Sequence, residues 1–228
     1  MKRLQDLFNL FYPSVCLCCE QYLLDQEKII CIECRLDLPF IDNGDVTNNL
    51  LAQTLEGRVL IEKGASFLYY HPVGKVKKLI HQLKYKNNES VGEFLGDWFG
   101  LKLLETAKFN DIDYIIPVPL HKKKLRQRGY NQLTKFGERL STILDIEYLE
   151  DVLIRSSATK TQTFKNRVER FKNLMTNFSI TDTILLKNKH VLLIDDVVTT
   201  GATLEACCKQ LLKAENIKIS IVTIALTE

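Results

Sequence analysis

Long apolar runs are missing from this chain of 228 residues. The longest, Ile219 to Leu226, reaches only about eight residues with polar members among them, far short of the ~20 that cross a bilayer, so no transmembrane helix is expected. A large excess of one charge is missing too: 31 Lys and Arg stand against 28 Asp and Glu, a formal +3. That excludes a polycation coating nucleic acid or membrane along its whole surface, and any anion site must be local. No G-x-x-x-x-G-K-[ST] loop occurs, which removes the phosphate cradle of a P-loop ATPase. Internal repeats and low-complexity tracts are also lacking. Met1-Lys2-Arg3 would suit an export signal, but Asp6 and Asn9 interrupt the apolar residues after it and no small-residue cleavage site appears. The expectation is an amphipathic helix with Leu4, Leu7, Phe8 and Phe11 on one face, and no export.

What is present reads as an ordinary globular chain, 46% hydrophobic and 26% charged. Seven cysteines, an odd number with five of them before residue 40, fit a reduced compartment and a metal site better than a disulfide framework, so the expected location is the cytoplasm. Residues 1–45 read as a small cysteine-rich module. Residues 46–64 read as a linker, the stretch 41–57 being rich in loop formers such as Asn43, Gly44, Asn48 and Gly57. From residue 65 to 228 strands and helices alternate. Strands are expected at Ala65–Tyr70, Asp113–Leu120, Tyr148–Ile154, His190–Ile194 and Ile217–Leu226. Between them lie a helix with Val73, Val76, Ile80 and Leu83 on its apolar face, a second helix, a third using Leu133, Phe136, Leu140, Ile143 and Leu144, and a last one from about Thr203 to Ala214. The fold class is α/β, a mostly parallel open sheet flanked by helices, with the small module in front.

Cys16-x-x-Cys19 and Cys31-x-x-Cys34 can present two thiolates each from tight turns, and the hairpin between them can close a tetrahedron. Zn²⁺ is the natural occupant, and with no open position it would be structural. Cys18 sits between two proposed ligands and could replace Cys16 or Cys19. A redox role is disfavoured because no strand and helix surround a lone CxxC motif. Cys207 and Cys208 read as buried core.

The most informative stretch runs from Val191 to Thr203. Four apolar residues deliver Asp195 and Asp196 to the carboxyl end of a buried strand, where open α/β sheets place their ligands. Thr199, Thr200, Gly201, Ala202 and Thr203 then lead into a helix, a composition whose backbone N–H groups and hydroxyls favour a phosphate. Two carboxylates beside a phosphate would repel it, so they should face a polyol such as ribose, or a Mg²⁺ ion bridging to other phosphates. Together these features describe a site for ribose 5-phosphate.

At these residues the chain resembles the phosphoribosyl diphosphate (PRPP) signature of type I phosphoribosyltransferases. Over most of its length it is similar to one branch, the ComF/GntX-like competence family. The paired CxxC motifs, Ile116-Pro117-Val118-Pro119-Leu120-His121, Arg126-Gln127-Arg128-Gly129-Tyr130-Asn131-Gln132 and Leu193–Thr203 carry the likeness. The resemblance implies that Asp195 and Asp196 bind the ribose hydroxyls and act at the catalytic position, while Thr199 to Thr203 wrap the 5-phosphate. It also implies a pyrophosphate loop at Pro117, Val118 and Pro119, Mg²⁺ accompanying PRPP, and a closing segment near 155–173 that contains Arg155, Thr161, Gln162, Arg167 and Asn173. Ala214-Glu215-Asn216 departs from the family's frequent Gly-Ala, a change expected to touch a helix end rather than the site.

Residues 120–139 hold Lys122, Lys123, Lys124, Arg126, Arg128, Lys135 and Arg139 against Glu138 alone. These cations exceed the needs of one small ligand, and with Lys84, Lys86 and a second basic stretch at Lys160, Lys165, Arg167, Arg170 and Lys172 they invite a longer polyanion. Tyr130, Phe164 and Phe171 add faces on which the bases of single-stranded nucleic acid can stack. His121 reads as a turn residue, and His71 and His81 carry no pattern. The expected function is a PRPP-binding protein of DNA uptake that contacts single-stranded DNA beside a helicase-like competence partner, the partner being implied by the family. The alternative is an active phosphoribosyltransferase moving ribose 5-phosphate from PRPP to a nitrogen acceptor and releasing pyrophosphate.

Overall fold

The structure, a computed structural model, describes residues 13–86, 88–155 and 177–227. Two nine-residue strands form its centre, β6 (His190–Val198) and β7 (Lys218–Leu226). Both are nearly continuous apolar runs buried on both faces, the composition that parallel strands covered by helices require. Around them stand β1 (Gly64–Tyr69), β2 (Tyr114–Pro117) and β3 (Glu147–Tyr148) in the order β1-β7-β6-β2-β3, every neighbouring pair parallel. β4 (Leu153–Arg155) and β5 (Phe178–Ile180) form a separate antiparallel pair. The helices are α1 (Ile32–Leu36), α2 (Leu50–Leu55), α3 (Lys75–Tyr85), α4 (Ser90–Thr106), α5 (Lys122–Arg128), α6 (Thr134–Leu144) and α7 (Ala202–Leu211). Among the described residues no helix is long and apolar enough to cross a membrane.

Connectivity places the ligand crevice. From β2 the chain steps outward through α6 to β3, whereas from β6 it steps the opposite way through α7 to β7. Strand order therefore reverses between β2 and β6, and the carboxyl ends of those two strands bound the opening. β2 releases β6 early: its last register pair is Pro117 with Ile194, and Val118 N–H makes the final bond, 2.9 Å to the Ile194 carbonyl. Pro119, without an N–H, cannot extend the ladder. β7 keeps hold of β6 as far as Val198, opposite Leu226, so Asp195 and Asp196 lie inside a strand paired on one side only. The strand expected at His190–Ile194 is thus four residues longer than its apolar run, because its partner continues.

Other boundaries shift for local reasons. Val73 is exposed, since α3 begins only after Gly74, and Leu79 joins Val76, Ile80 and Leu83 on the buried face. The strand expected at Tyr148–Ile154 divides into β3, which pairs with β2, and β4, which pairs with β5. Within 41–57 the chain forms α2, capped by Asn49, whose side chain accepts from Ala52 N–H at 3.1 Å and donates to the Gly64 carbonyl at 2.6 Å. Its Leu51 and Leu55 are fully buried. The amphipathic helix expected near Leu4, Leu7, Phe8 and Phe11 and the basic stretch around Lys160 to Lys172 lie outside the described residues.

α4 and α6 approach closely through Gly92, Gly96 and Gly100, which repeat along one face of α4. A Cβ at Gly96 would stand 2.8 Å from Arg139 Cβ and 2.9 Å from the Phe136 carbonyl oxygen. At the amino-terminal edge of the sheet, buried His190 shares a 2.8 Å hydrogen bond between Nε2 and Ser220 Oγ, with Asp111 Oδ2 3.3 Å from Nδ1. Burial pulls the imidazole below its ordinary pKa, Asp111 opposing.

Two outcomes are expected. Gly96→Ala should cost about 1–3 kcal/mol through overpacking, read as a lower urea midpoint with unchanged slope. For His190, the folded state disfavours the proton, so nothing changes above its ordinary pKa of about 6.5. As pH falls below that value the unfolded chain binds a proton the folded chain refuses, and stability drops until the folded-state pKa is reached. Melting temperature against pH should therefore fall less steeply through this window in His190→Gln than in the parent, and parallel curves would refute the assignment.

Candidate functional site

The cysteine module closes on itself at four sulfurs. The Sγ atoms of Cys16, Cys19, Cys31 and Cys34 all lie within 4.8 Å of one another, and Cys19 Sγ to Cys31 Sγ is 3.7 Å. A tetrahedral ion with sulfur bonds of about 2.3 Å sets its sulfurs ~3.8 Å apart, so the cluster has the dimensions to hold a metal ion. Backbone amides orient it: Cys18 N–H and Cys31 N–H each donate to Cys16 Sγ at 3.4 Å, and Cys34 N–H donates to Cys31 Sγ at 3.5 Å. Cys18 is not a member. Its thiol turns to the Lys75 carbonyl, 3.8 Å away, and burial pushes its pKa up to about 12. The module is seated on the sheet by Ile41 N–H to the Phe67 carbonyl and Tyr69 N–H to the Pro39 carbonyl, and by Arg35 stacked 4.7 Å from the Trp98 ring. Cys207 and Cys208 are fully buried in α7, as core residues are.

The second cluster sits at the crevice. Asp195 and Asp196 are both buried. Burial, with the Asp196 charge alongside, pushes the Asp195 carboxyl well above the usual carboxylate range, against the opposing pull of Lys84 and Arg155. Asp195 Oδ1 accepts from Asp196 N–H at 2.8 Å. Both oxygens of Asp196 are engaged: Oδ1 by Lys84 Nζ at 2.6 Å and Oδ2 by Gln132 Nε2 at 2.6 Å. Gln132 Oε1 in turn accepts from Arg128 Nη1 at 2.6 Å. Asn131, also buried, pins this turn by donating to the Val118 carbonyl at 3.4 Å and accepting from Leu133 N–H at 3.1 Å.

Immediately after β6 the chain bends around a recess of about 50 Å³ lined by Asp195 and residues 197–204. Gly201 makes the bend with φ of 71°, a left-handed conformation that a side chain would strain. A Cβ there would also meet Leu55 Cδ2 at 2.9 Å and Arg58 Nη2 at 3.1 Å. Thr199 and Thr200 are exposed, Ala202 and Thr203 half-buried. Among the described residues no side chain caps α7, whose first residues, Ala202 to Leu204, line the recess. Glu205, buried in the first turn of α7, would oppose an anion here. Arg58 at 3.4 Å and Lys209 at 2.7 Å offset its charge. Pro117 and Val118 are buried at the end of β2, Pro119 partly so. Arg155, half-buried at the end of β4, stacks 5.0 Å from the Phe178 ring and leaves its Nε buried without a partner. Gln162 and Arg167 lie outside the described residues.

Lys122, Lys123, Lys124 and Arg126 are exposed on α5, which buries none of its residues. His121 caps that helix by accepting from Lys123 N–H at 3.1 Å. Beneath α5 a cavity of about 530 Å³ is lined by Lys84, Tyr85, Lys124, Arg126 and Arg128 among others, with the Arg128 guanidinium 5.1 Å from the Tyr85 ring. The sequence signals missed three residues of this neighbourhood in their actual roles. Lys84 reads only as one more cation, Arg58 lies in a stretch that reads as linker, and Glu205 is an unremarked helix residue. A hydrophilic residue on an apolar helix face, as Lys84 is beside Leu83, was the one available hint.

Residues 134–227 match the family model described as "Phosphoribosyl transferase domain". The chain is 31% identical over 138 residues to the DNA utilization protein YhgH of Escherichia coli O157:H7, covering 59% of this chain and 60% of the relative. It is 32% identical over 150 residues to Competence protein F of Haemophilus influenzae, covering 63% and 64%. The chain thus spans less than two thirds of the length of these relatives. Among solved structures it is similar to adenine phosphoribosyltransferase of Saccharomyces cerevisiae, with 19% identity, 60% of this chain and 69% of that one covered, and a TM-score of 0.38.

Metal analysis of protein purified without chelator should find about one ion per chain, and stripping it should open residues 13–41 to protease before the sheet melts. A folded, protease-resistant module with substoichiometric metal would refute the cluster's role.

Proposed function

From the premise of a ComF-like chain of phosphoribosyltransferase fold, we propose that it binds PRPP with Mg²⁺ at the β6–α7 bend and acts in DNA uptake, contacting single-stranded DNA through α5. One observation carries this reading: two adjacent buried carboxylates lie on the free flank of β6, and one of them, Asp195, lines a recess with Thr199, Thr200, Gly201 and Thr203, so that one ligand carrying hydroxyls at one end and a phosphate at the other suits both. Asp195 and Asp196 accept the ribose hydroxyls. Thr199, Thr200, Gly201, Ala202 and Thr203 surround the 5-phosphate, and the Pro117–Pro119 turn faces the diphosphate across the crevice. Arg155, with its unpartnered Nε, supplies positive charge on the same side, a role the proposal extends to Gln162 and Arg167. Mg²⁺ bound with the diphosphate would neutralise its charge. Zn²⁺ fits the four thiolates, a closed and therefore structural set. Lys122, Lys123, Lys124, Arg126 and Arg128 hold the DNA phosphates. Reduced cysteines and the family likeness support work in the cytoplasm beside a helicase-like competence protein.

A second reading, transfer of the phosphoribosyl group to a nitrogen acceptor with loss of pyrophosphate, is favoured by the domain match at residues 134–227. The protein's contribution would be to fix both phosphate ends while charge develops on the ribose and the leaving group.

Calorimetric titration with PRPP and Mg²⁺ tests the site. Asp195→Asn should weaken binding about 3- to 10-fold, the worth of one hydrogen bond, without lowering the melting temperature. Gly201→Val should abolish binding through the left-handed bend and the Leu55 clash. Unchanged affinity in a folded variant of either kind would overturn the assignment. Pyrophosphate release across a panel of bases and amines decides the second reading, and DNA binding that falls with salt and survives Asp195→Asn is expected under the first.

A further inference from the structure

We propose that the cationic cavity under α5 holds single-stranded nucleic acid and that its occupancy is positively linked to that of the carboxylate site, through Lys84 and Arg128. The inference rests on the reading of that site as a sugar-phosphate site and adds a regulation to it.

The two places share their charged groups. Lys84 lines the cavity, yet its Nζ is 2.6 Å from Asp196 Oδ1. Arg128 lines the cavity too, yet its Nη1 is 2.6 Å from Gln132 Oε1, and Gln132 Nε2 is 2.6 Å from Asp196 Oδ2. In this arrangement the polar groups latch onto one another. Each Asp196 oxygen has a second lone pair, but the side chain is only 7% exposed with Lys84 and Gln132 in place, so a sugar reaches it when those two groups turn away. A polyanion can use the cavity fully only when Lys84, and Arg128 behind Gln132, turn toward it. Both ligands therefore require the same latch to open, and the pair broken is a costly one: Asp196 is 7% exposed and Lys84 22%. Whichever ligand binds first bears that cost and the second binds more tightly, a coupling that must be reciprocal.

The cavity's chemistry favours nucleic acid as occupant. Lys84, Lys124, Arg126 and Arg128 line it, and no acidic residue does among the described residues. It opens beside exposed Lys122 and Lys123, which extends the cationic track past the reach of one small ligand. Tyr85 is 64% exposed, leaving ring surface beyond the Arg128 stack for a base.

The test measures anisotropy of a labelled short oligothymidylate at fixed salt, on the full chain. Saturating PRPP with Mg²⁺ should tighten the oligonucleotide by about fivefold, and the oligonucleotide should tighten PRPP by the same factor. Lys84→Met should weaken the oligonucleotide, tighten PRPP and remove the coupling. Weaker PRPP binding in Lys84→Met would make Lys84 a direct ligand and overturn the latch. A cycle without PRPP keeps the failures distinguishable. Asp196→Asn should tighten the oligonucleotide severalfold in the parent and have no effect in the Lys84→Met background, whereas a gain of equal size in both would mean simple charge removal and overturn the linkage. Absence of PRPP binding in the parent would sink the sugar-phosphate reading, while this cycle still decides the latch. Inorganic tripolyphosphate serves as the competing source: if it reproduces the coupling at matched charge and displaces the oligonucleotide completely, the occupant is a free polyphosphate and the nucleic-acid assignment fails.

Discussion

The site depends on a mismatch in how long two neighbours hold the central strand. β7 pairs with β6 as far as Val198, while β2 lets go at Ile194, where Pro117-Val118-Pro119 turns out of the sheet. Asp195 and Asp196 fall in the interval. One flank of the strand remains rigidly hydrogen-bonded, so the backbone carrying the acids is fixed. The other flank is free of a neighbour, so the crevice can exist. A longer β2 would zip the opening shut, and a shorter β7 would leave the acids on a loose loop.

Charge compensation is the consequence of that placement. Two adjacent acids in a buried strand cannot both stay ionised cheaply, and the surroundings answer with a raised Asp195 and a fully engaged Asp196. The same logic recurs one turn into α7, where Glu205 sits between Arg58 and Lys209. Near the anion-seeking bend Asp196 and Glu205 are each held by a cation from another part of the chain or from the next helical turn. Removing Arg58 would leave buried Glu205 facing the bend with one partner fewer, which makes Arg58 part of the site although it does not belong to its sequence motif.

Much of this was legible from residues alone. The apolar run before Asp195, the Thr/Gly bend and the CxxC spacing each encode local geometry, and local geometry survives into the fold. The central strands and long helices appear where periodicity places them. What the sequence withheld was tertiary. Nothing in the stretch 41–57 announces that Leu51 and Leu55 will be buried and set Arg58 against Gly201, because Leu50, Leu51 and Leu55 within six residues are too short a pattern to signal a helix. The split of Tyr148–Ile154 depends on different strands claiming its two ends. Lys84 shows its role only when α3 is laid against the carboxyl end of β6. Cys18, left open by spacing, is decided by the direction of its side chain, which no spacing rule contains.

The chain has a single tryptophan, and it lies under the cysteine module. Trp98 on α4 is packed edge-on to Phe40, with ring centroids 5.0 Å apart, and carries the Arg35 guanidinium over its face. Phe40 and Arg35 both belong to the segment that the four thiols organise, whereas Trp98 belongs to the sheet's own helical layer. The indole is therefore an intrinsic optical gauge of how firmly the appendage is seated: its emission colour and quenching track lift-off of that one segment, and the rest of the molecule contributes no competing signal of the same kind.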